Sequence, residues 1–198
     1  MFRLLLSIAL IHILGSCSLG GSPAPQDHFY RLPEITLSPQ QSIYKEIVIK
    51  PVKSSGLYHE RAILFIESQH PLEIKRYHYR FWSATPAELI HSGLYQGLLS
   101  SGIASQISRE ISTLRPDFII DSRIIHFERL IESQQVTIEV ALDVSVRRGD
   151  SSAVLLKASR YHASRILKTR DMHASAVAFG EALQEISEHL VKDLREYR

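Results

Sequence analysis

Residues able to do chemistry are numerous in this sequence but thinly spread: ten histidines, one cysteine and abundant serine among 198 residues. Histidine is the usual acid–base group near neutral pH and the commonest metal ligand. Here the spacings assemble neither role. There is no H-E-x-x-H, and pairs such as His70/His78 or His162/His173 match no common ligand pattern, so neither a metal nor a cofactor is expected. Nucleophilic catalysis has no better footing, because no G-x-S-x-G elbow occurs. Asp121, Ser122 and His126 lie close together, but regular strand alternation puts Ser122 and His126 on one face and Asp121 on the other. Gly20-Gly21 sits in a Ser/Pro-rich stretch and not between a strand and a helix, so no phosphate loop is present. The chain is therefore expected not to be an enzyme. One reactive group remains, the solitary thiol of Cys17.

The flanks of Cys17 give that thiol a role. Arg3 supplies a short positive start, and Leu4 to Leu14 form an apolar run broken only by Ser7 and His12, the pattern of an export signal. The run is too short for a stable membrane span, which needs about 20 apolar residues as a helix. It ends Leu14-Gly15-Ser16-Cys17, which resembles a bacterial lipobox. The resemblance implies cleavage between Ser16 and Cys17. Cys17 would then carry a thioether-linked diacylglycerol and an amide-linked acyl chain of the palmitate type. One acyl chain holds a membrane only marginally, at about 0.8 kcal/mol per buried CH₂, whereas several on one residue make a durable anchor. Ser18 follows where Asp would signal retention at the inner membrane, so the outer membrane of a Gram-negative envelope is expected, with the domain in the periplasm. No disulfide can form within the chain.

Composition sets the frame for the rest. The formal net charge is +2, of which Arg3 contributes one, and no basic run or zinc-finger spacing invites nucleic acid. A hydrophobic fraction of 44% fits a folded chain. The organisation expected is a signal peptide over 1–16, a lipidated N-terminus and flexible tether over 17–28, and a single domain over 29–198. The tether, "SLGGSPAPQDH", is Gly, Ser and Pro rich, and about ten such residues reach only some 18 Å.

Within the domain the patterning alternates strands with helices. "KEIVIKPV" (45–52), "RAILFIES" (61–68) and the aromatic "LEIKRYHYRFWS" (72–83) read as strands, the last mixing polar and apolar groups on both faces as an edge or interface would. Pro86 opens a helix, with Thr85 as N-cap and Glu88 completing a capping box. Ile90, Leu94, Leu98 and Ser101 share its inner face, and Gly93 and Gly97 permit close packing on a sheet. "DFIIDSRIIHFERL" (117–130) is a further strand. The clearest period-2 run is "VTIEVALDVSVRR", in which Val136, Ile138, Val140, Leu142, Val144 and Val146 point one way. "AVLLKASRYHASRIL" follows, and a final helix from about Asp171 carries Ala176, Phe179, Leu183, Ile186, Leu190 and Leu194 at steps of three and four. The expected architecture is α+β: a two-layer sandwich of a mainly antiparallel sheet with both helices on one face.

Several stretches together resemble a known family. They are Phe29-Tyr30-Arg31-Leu32-Pro33, "IVIKPV" followed by Gly56-Leu57-Tyr58-His59-Glu60-Arg61, "YRFWSATPAEL", and "ASAVAFGEALQEISEHL". Their order and spacing over residues 29 to 195 are similar to those of the ABC-type transport auxiliary lipoproteins, which include the PqiC-type partners of MCE lipid-transport systems. The chain departs from the family in one respect: Phe81 separates Arg80 from Trp82, where the family commonly has Arg directly before Trp. The resemblance implies a non-catalytic auxiliary component of an ABC/MCE-type transporter for lipids or other hydrophobic compounds. Its expected partners are transporter components, the membrane through its own lipid, and further copies of itself, with no nucleic acid. Tyr58, Arg80 and Trp82 are candidate partner contacts, although a large aromatic such as Trp82 is more often core material. Two alternatives stay open: an outer-membrane assembly or secretion accessory lipoprotein, and an envelope hydrolase whose Ser or His would have to meet an acid in a pocket.

Overall fold

The computed structural model describes residues 24–110, 115–133, 135–150 and 152–197. The signal stretch, Ser16 and Cys17 lie outside the described residues. Eight strands and two helices follow in order: β1 (His28–Tyr30), β2 (Tyr44–Ile49), β3 (Ala62–Glu67), β4 (Ile74–Trp82), α1 (Pro86–Ser101), β5 (Ala104–Ser108), β6 (Phe118–Glu132), β7 (Gln135–Arg148), β8 (Leu155–Leu167) and α2 (Met172–Arg195). A 3₁₀ turn, Gly56–His59, sits between β2 and β3.

All eight strands belong to one mixed open sheet, and its backbone is the long antiparallel meander β6-β7-β8. The other edge of β6 is shared. β2 pairs with its N-terminal part (Ile47 opposite Phe118) and β3 with its C-terminal part (Phe65 opposite Arg129), both parallel to it. β2 and β3 thus form one interrupted strand, and the sheet forks. β5 extends the β2 branch in parallel, while β4 pairs antiparallel with β3 and is flanked by β1. β2 ends at Ile49 just before Pro51, which has no N–H to offer a ladder. β1 and β5 are too short and too mixed in sequence to have been anticipated.

The regular face of β7 is buried throughout, from Val136 to Val146, in the core that α2 covers. Each fully buried Val, Leu or Ile side chain contributes about 1.5–3 kcal/mol of transfer free energy. On the opposite face, cross-strand ion pairs replace apolar contacts, as in the doubly bonded Arg160–Asp143 pair at 2.7 and 2.9 Å. The α1 start carries the expected capping box, with the Glu88 N–H donating to Thr85 Oγ1 and the Thr85 N–H to Glu88 Oε2. Gly102 closes the helix in the left-handed region at φ 64°.

Gly93 and Gly97 do not face the sheet, as their spacing suggested, but face α2 and a strap. A Cβ on Gly93 would stand 2.4 Å from Leu183 Cδ2, and one on Gly97 3.0 Å from Ser187 Cβ. The strap is residues 31–43, which lie over the groove between the helices with Ile35 and Leu37 buried. Its backbone is tied down by the Leu37 N–H donating to Ser100 Oγ at 2.9 Å and the Gln40 N–H to the Ser101 carbonyl at 2.8 Å. Pro33 seats on Gly180 of α2 so closely that a Cβ there would meet its ring at 2.2 Å.

Candidate functional site

Asp121, Ser122 and His126 need re-placing first. Ile124 lies opposite Leu142 but His126 lies opposite Ala141, so β6 bulges between them. The extra residue reverses the alternation. His126 joins Asp121 on the outer face, while Ser122, opposite Val144, turns to the helix side and is buried. The expected pairing of Ser122 with His126 is thereby corrected, yet the three still cannot meet as a triad. Asp121 is held by Arg147 at 2.7 Å, with Lys50 and Lys53 at 3.7 and 3.9 Å. Among the described residues, no three His, Cys, Asp or Glu side chains converge as a metal site, and no helix is long and apolar enough to cross a membrane.

Of the three candidate contact residues, Trp82 is 1% exposed. Its ring lies 5.4 Å from Phe127 and 5.1 Å from Phe179, so it joins β4, β6 and α2 and offers no surface to a partner. Tyr58 closes the fork in the sheet. Where β2 and β3 part, Lys53 bridges to β6, its N–H donating to the Ser122 carbonyl at 2.8 Å and its carbonyl accepting from the Ile124 N–H at 2.9 Å, and the groups that follow on β6 turn to side chains. Glu128, itself buried, accepts from the Phe127 N–H at 2.6 Å and from the Tyr58 hydroxyl at 2.6 Å, and pairs with His126 Nδ1 at 2.6 Å. The Tyr58 hydroxyl also lies 3.2 Å from the Ile125 carbonyl. Burial, then the Glu128 carboxylate, push the Tyr58 phenol far above its ordinary range, so it stays a donor.

Arg80 leads to a convergence of arginines. It lines a cleft of about 310 Å³ together with Tyr77, Arg129, Arg170, Asp171 and Met172. β4 supplies Tyr77 and Arg80, β6 supplies Arg129, and the turn into α2 supplies the rest. Arg129 is 2% exposed and firmly held. Its Nη1 donates to the Tyr77 hydroxyl at 2.5 Å and its Nη2 to the Arg170 carbonyl at 2.9 Å, while its carbon lies 5.4 Å from the centre of the Tyr77 ring. Its Nε has no partner among the described residues. Burial pulls the Arg129 guanidinium below its ordinary value, and Arg80 and Arg170 add to this, although arginine remains charged at any physiological pH. Arg80 donates to the Tyr30 hydroxyl at 3.0 Å and Arg170 to the Ser133 carbonyl at 2.5 Å. None of the three arginines has a carboxylate partner among the described ion pairs. Asp171, the acid in the lining, caps α2 by accepting from the Ala174 N–H at 2.7 Å. Sequence alone missed the cleft, because its arginines stand 49 and 41 positions apart along the chain.

Solved structures share this architecture. Protein XCC0632 from Xanthomonas campestris superposes with a TM-score of 0.72 at 15% identity, over 83% of this chain and 92% of that one. The hypothetical protein CT253 from Chlamydia trachomatis superposes with 0.52 at 12% identity, over 77% and 97%. These likenesses define the class of fold, a forked α+β sheet with two helices on one face. No curated protein matches the chain in sequence. The family model does, over residues 30–191, and the chain belongs to the ABC-type transport auxiliary lipoprotein components. That is a family of auxiliary transport proteins and not a class of enzymes.

Proposed function

We propose that this protein is a lipid-anchored auxiliary subunit of an ABC/MCE-type transporter that moves lipids or other hydrophobic compounds across a Gram-negative envelope. Signal peptidase cleaves between Ser16 and Cys17, acyl chains on Cys17 hold the outer membrane, and the tether to residue 28 keeps the 29–198 domain beside it in the periplasm. The domain contributes binding and position, and other chains hydrolyse ATP. The observation that carries this reading is the family match over residues 30–191. The lipobox-like Leu14-Gly15-Ser16-Cys17 supports the anchor independently. Crosslinking in native membranes followed by affinity capture tests the partnership. Recovery of a transporter ATPase, permease or MCE subunit is expected, and recovery of none under conditions that trap other envelope complexes overturns it.

A further inference from the structure

The arginine cleft is built for a ligand the chain does not itself supply. A guanidinium out of water normally finds a carboxylate, because an unpaired buried charge is costly. Arg129 is instead fixed by a phenol and a carbonyl, neither of which neutralises it, and its Nε stays unsatisfied. Arg80 and Arg170 add two further charges to the same cleft, neither ion-paired to a carboxylate among the described residues; the one carboxylate in the lining, Asp171, is engaged in capping α2 and acts on Arg129 only through space. The Tyr77 hydroxyl accepts from Arg129, which leaves its own proton for an incoming oxygen.

We propose that this cleft binds a phosphate group: the buried, pre-set Arg129 and the rim arginines Arg80 and Arg170 take its anionic oxygens, and the Tyr77 hydroxyl donates to one of them. Arginine's planar fork fits phosphate with paired, charge-assisted hydrogen bonds. A volume of about 310 Å³ is at the small end of small-molecule sites, which suits a headgroup and not a whole lipid. The location fits as well. β1 sets His28 opposite Arg80, so the chain coming from the tether enters the domain at the cleft. If the anchor proposed above is correct, the arginines stand within tether reach of membrane phosphates. The phosphate recognised is thus that of a glycerophospholipid headgroup or free inorganic phosphate, which share the chemistry.

Calorimetric titration of the full chain, in nonionic detergent and phosphate-free buffer, separates the sources. The probes are inorganic phosphate, dihexanoyl phosphatidic acid, dihexanoyl phosphatidylglycerol and, lacking phosphate, dihexanoylglycerol. Saturable, salt-sensitive heat is expected with at least one phosphate-bearing probe. Binding by phospholipid alone assigns the headgroup, and binding by inorganic phosphate assigns the free anion. The double variant Arg80→Gln/Arg170→Gln, altered only at the rim, is expected to lose about tenfold or more in affinity while keeping its melting temperature. Arg129→Lys, which keeps charge without the fork, should weaken binding too. Absence of heat with every phosphate probe, equal binding of dihexanoylglycerol, or unchanged affinity in the folded double variant overturns the site. None of these readouts involves a transporter subunit, so the site and the transport reading fail separately.

Discussion

At the scale of single residues, chemistry here is mostly the satisfaction of buried polar groups. Tyr58 shows the logic, since its hydroxyl closes a gap that the forked sheet opens. Tyr58→Phe keeps the ring but leaves buried Glu128 short of a donor, which costs about 1–3 kcal/mol. Urea denaturation should register that loss; stability equal to the parent would remove the hydroxyl from the account. Cys17 is a proposal of a different kind, because a lipobox is recognised by its local sequence and not by the fold. Cys17→Ser is expected to release the protein from membranes and abolish labelling by a fatty-acid analogue, and retention with undiminished labelling would defeat the lipobox reading. The short motifs around Cys17 are legible because neighbours in sequence carry all the information. Arg80, Arg129 and Arg170 were not legible as a group, since only the pairing of β4 beside β3 and β3 beside β6 brings them to one cleft.

Elements were read more easily than the contacts between them. The β7 alternation and the α2 stripe identify their buried faces because period 2 and period 3.6 are written in the side chains themselves. The bulge in β6 escaped, because Ile124-Ile125-His126 reads as regular alternation with or without an extra residue. The partner of the α1 glycines escaped for a related reason: a small residue states that something comes close, not what. Gly180 is the sharpest such contact on the two helices, since the rigid Pro33 ring cannot swing aside as a Leu methyl can. Gly180→Ala gains about 1 kcal/mol of helix propensity, but overpacking of this kind costs about 1–3 kcal/mol and should win. A lower melting temperature and faster amide exchange at Leu37 and Gln40, where the strap is bonded to α1, are expected. A melting temperature at or above the parent's would show that the strap is not held there.

At the scale of the whole molecule, packing and charge act together along the join between α2 and the meander. Asp193 of α2 meets Lys157 Nζ at 2.5 Å and accepts from the Tyr161 hydroxyl, both on β8. Burial alone would raise its carboxyl, but these two bonds hold it below the ordinary range; Arg160 likewise lowers Asp143, and Lys75 lowers Glu67. In each case the unfolded chain takes up the proton more readily than the fold does. The stabilisation is therefore complete above the unfolded carboxyl range, about pH 4, and is lost as pH falls through the lower folded values. Denaturation midpoints should drop between about pH 5 and pH 2, and Asp193→Asn should flatten that slope; an unchanged slope would assign the acid sensitivity elsewhere. The sequence by itself determined the order of the longer strands and the two helices and the α+β class, because local periodicity encodes them. Only the tertiary structure decided the forking of the sheet, the burial of Trp82 and the meeting of three arginines. Each of these depends on which distant strands pair and in what register, and no stretch of neighbouring residues carries that information.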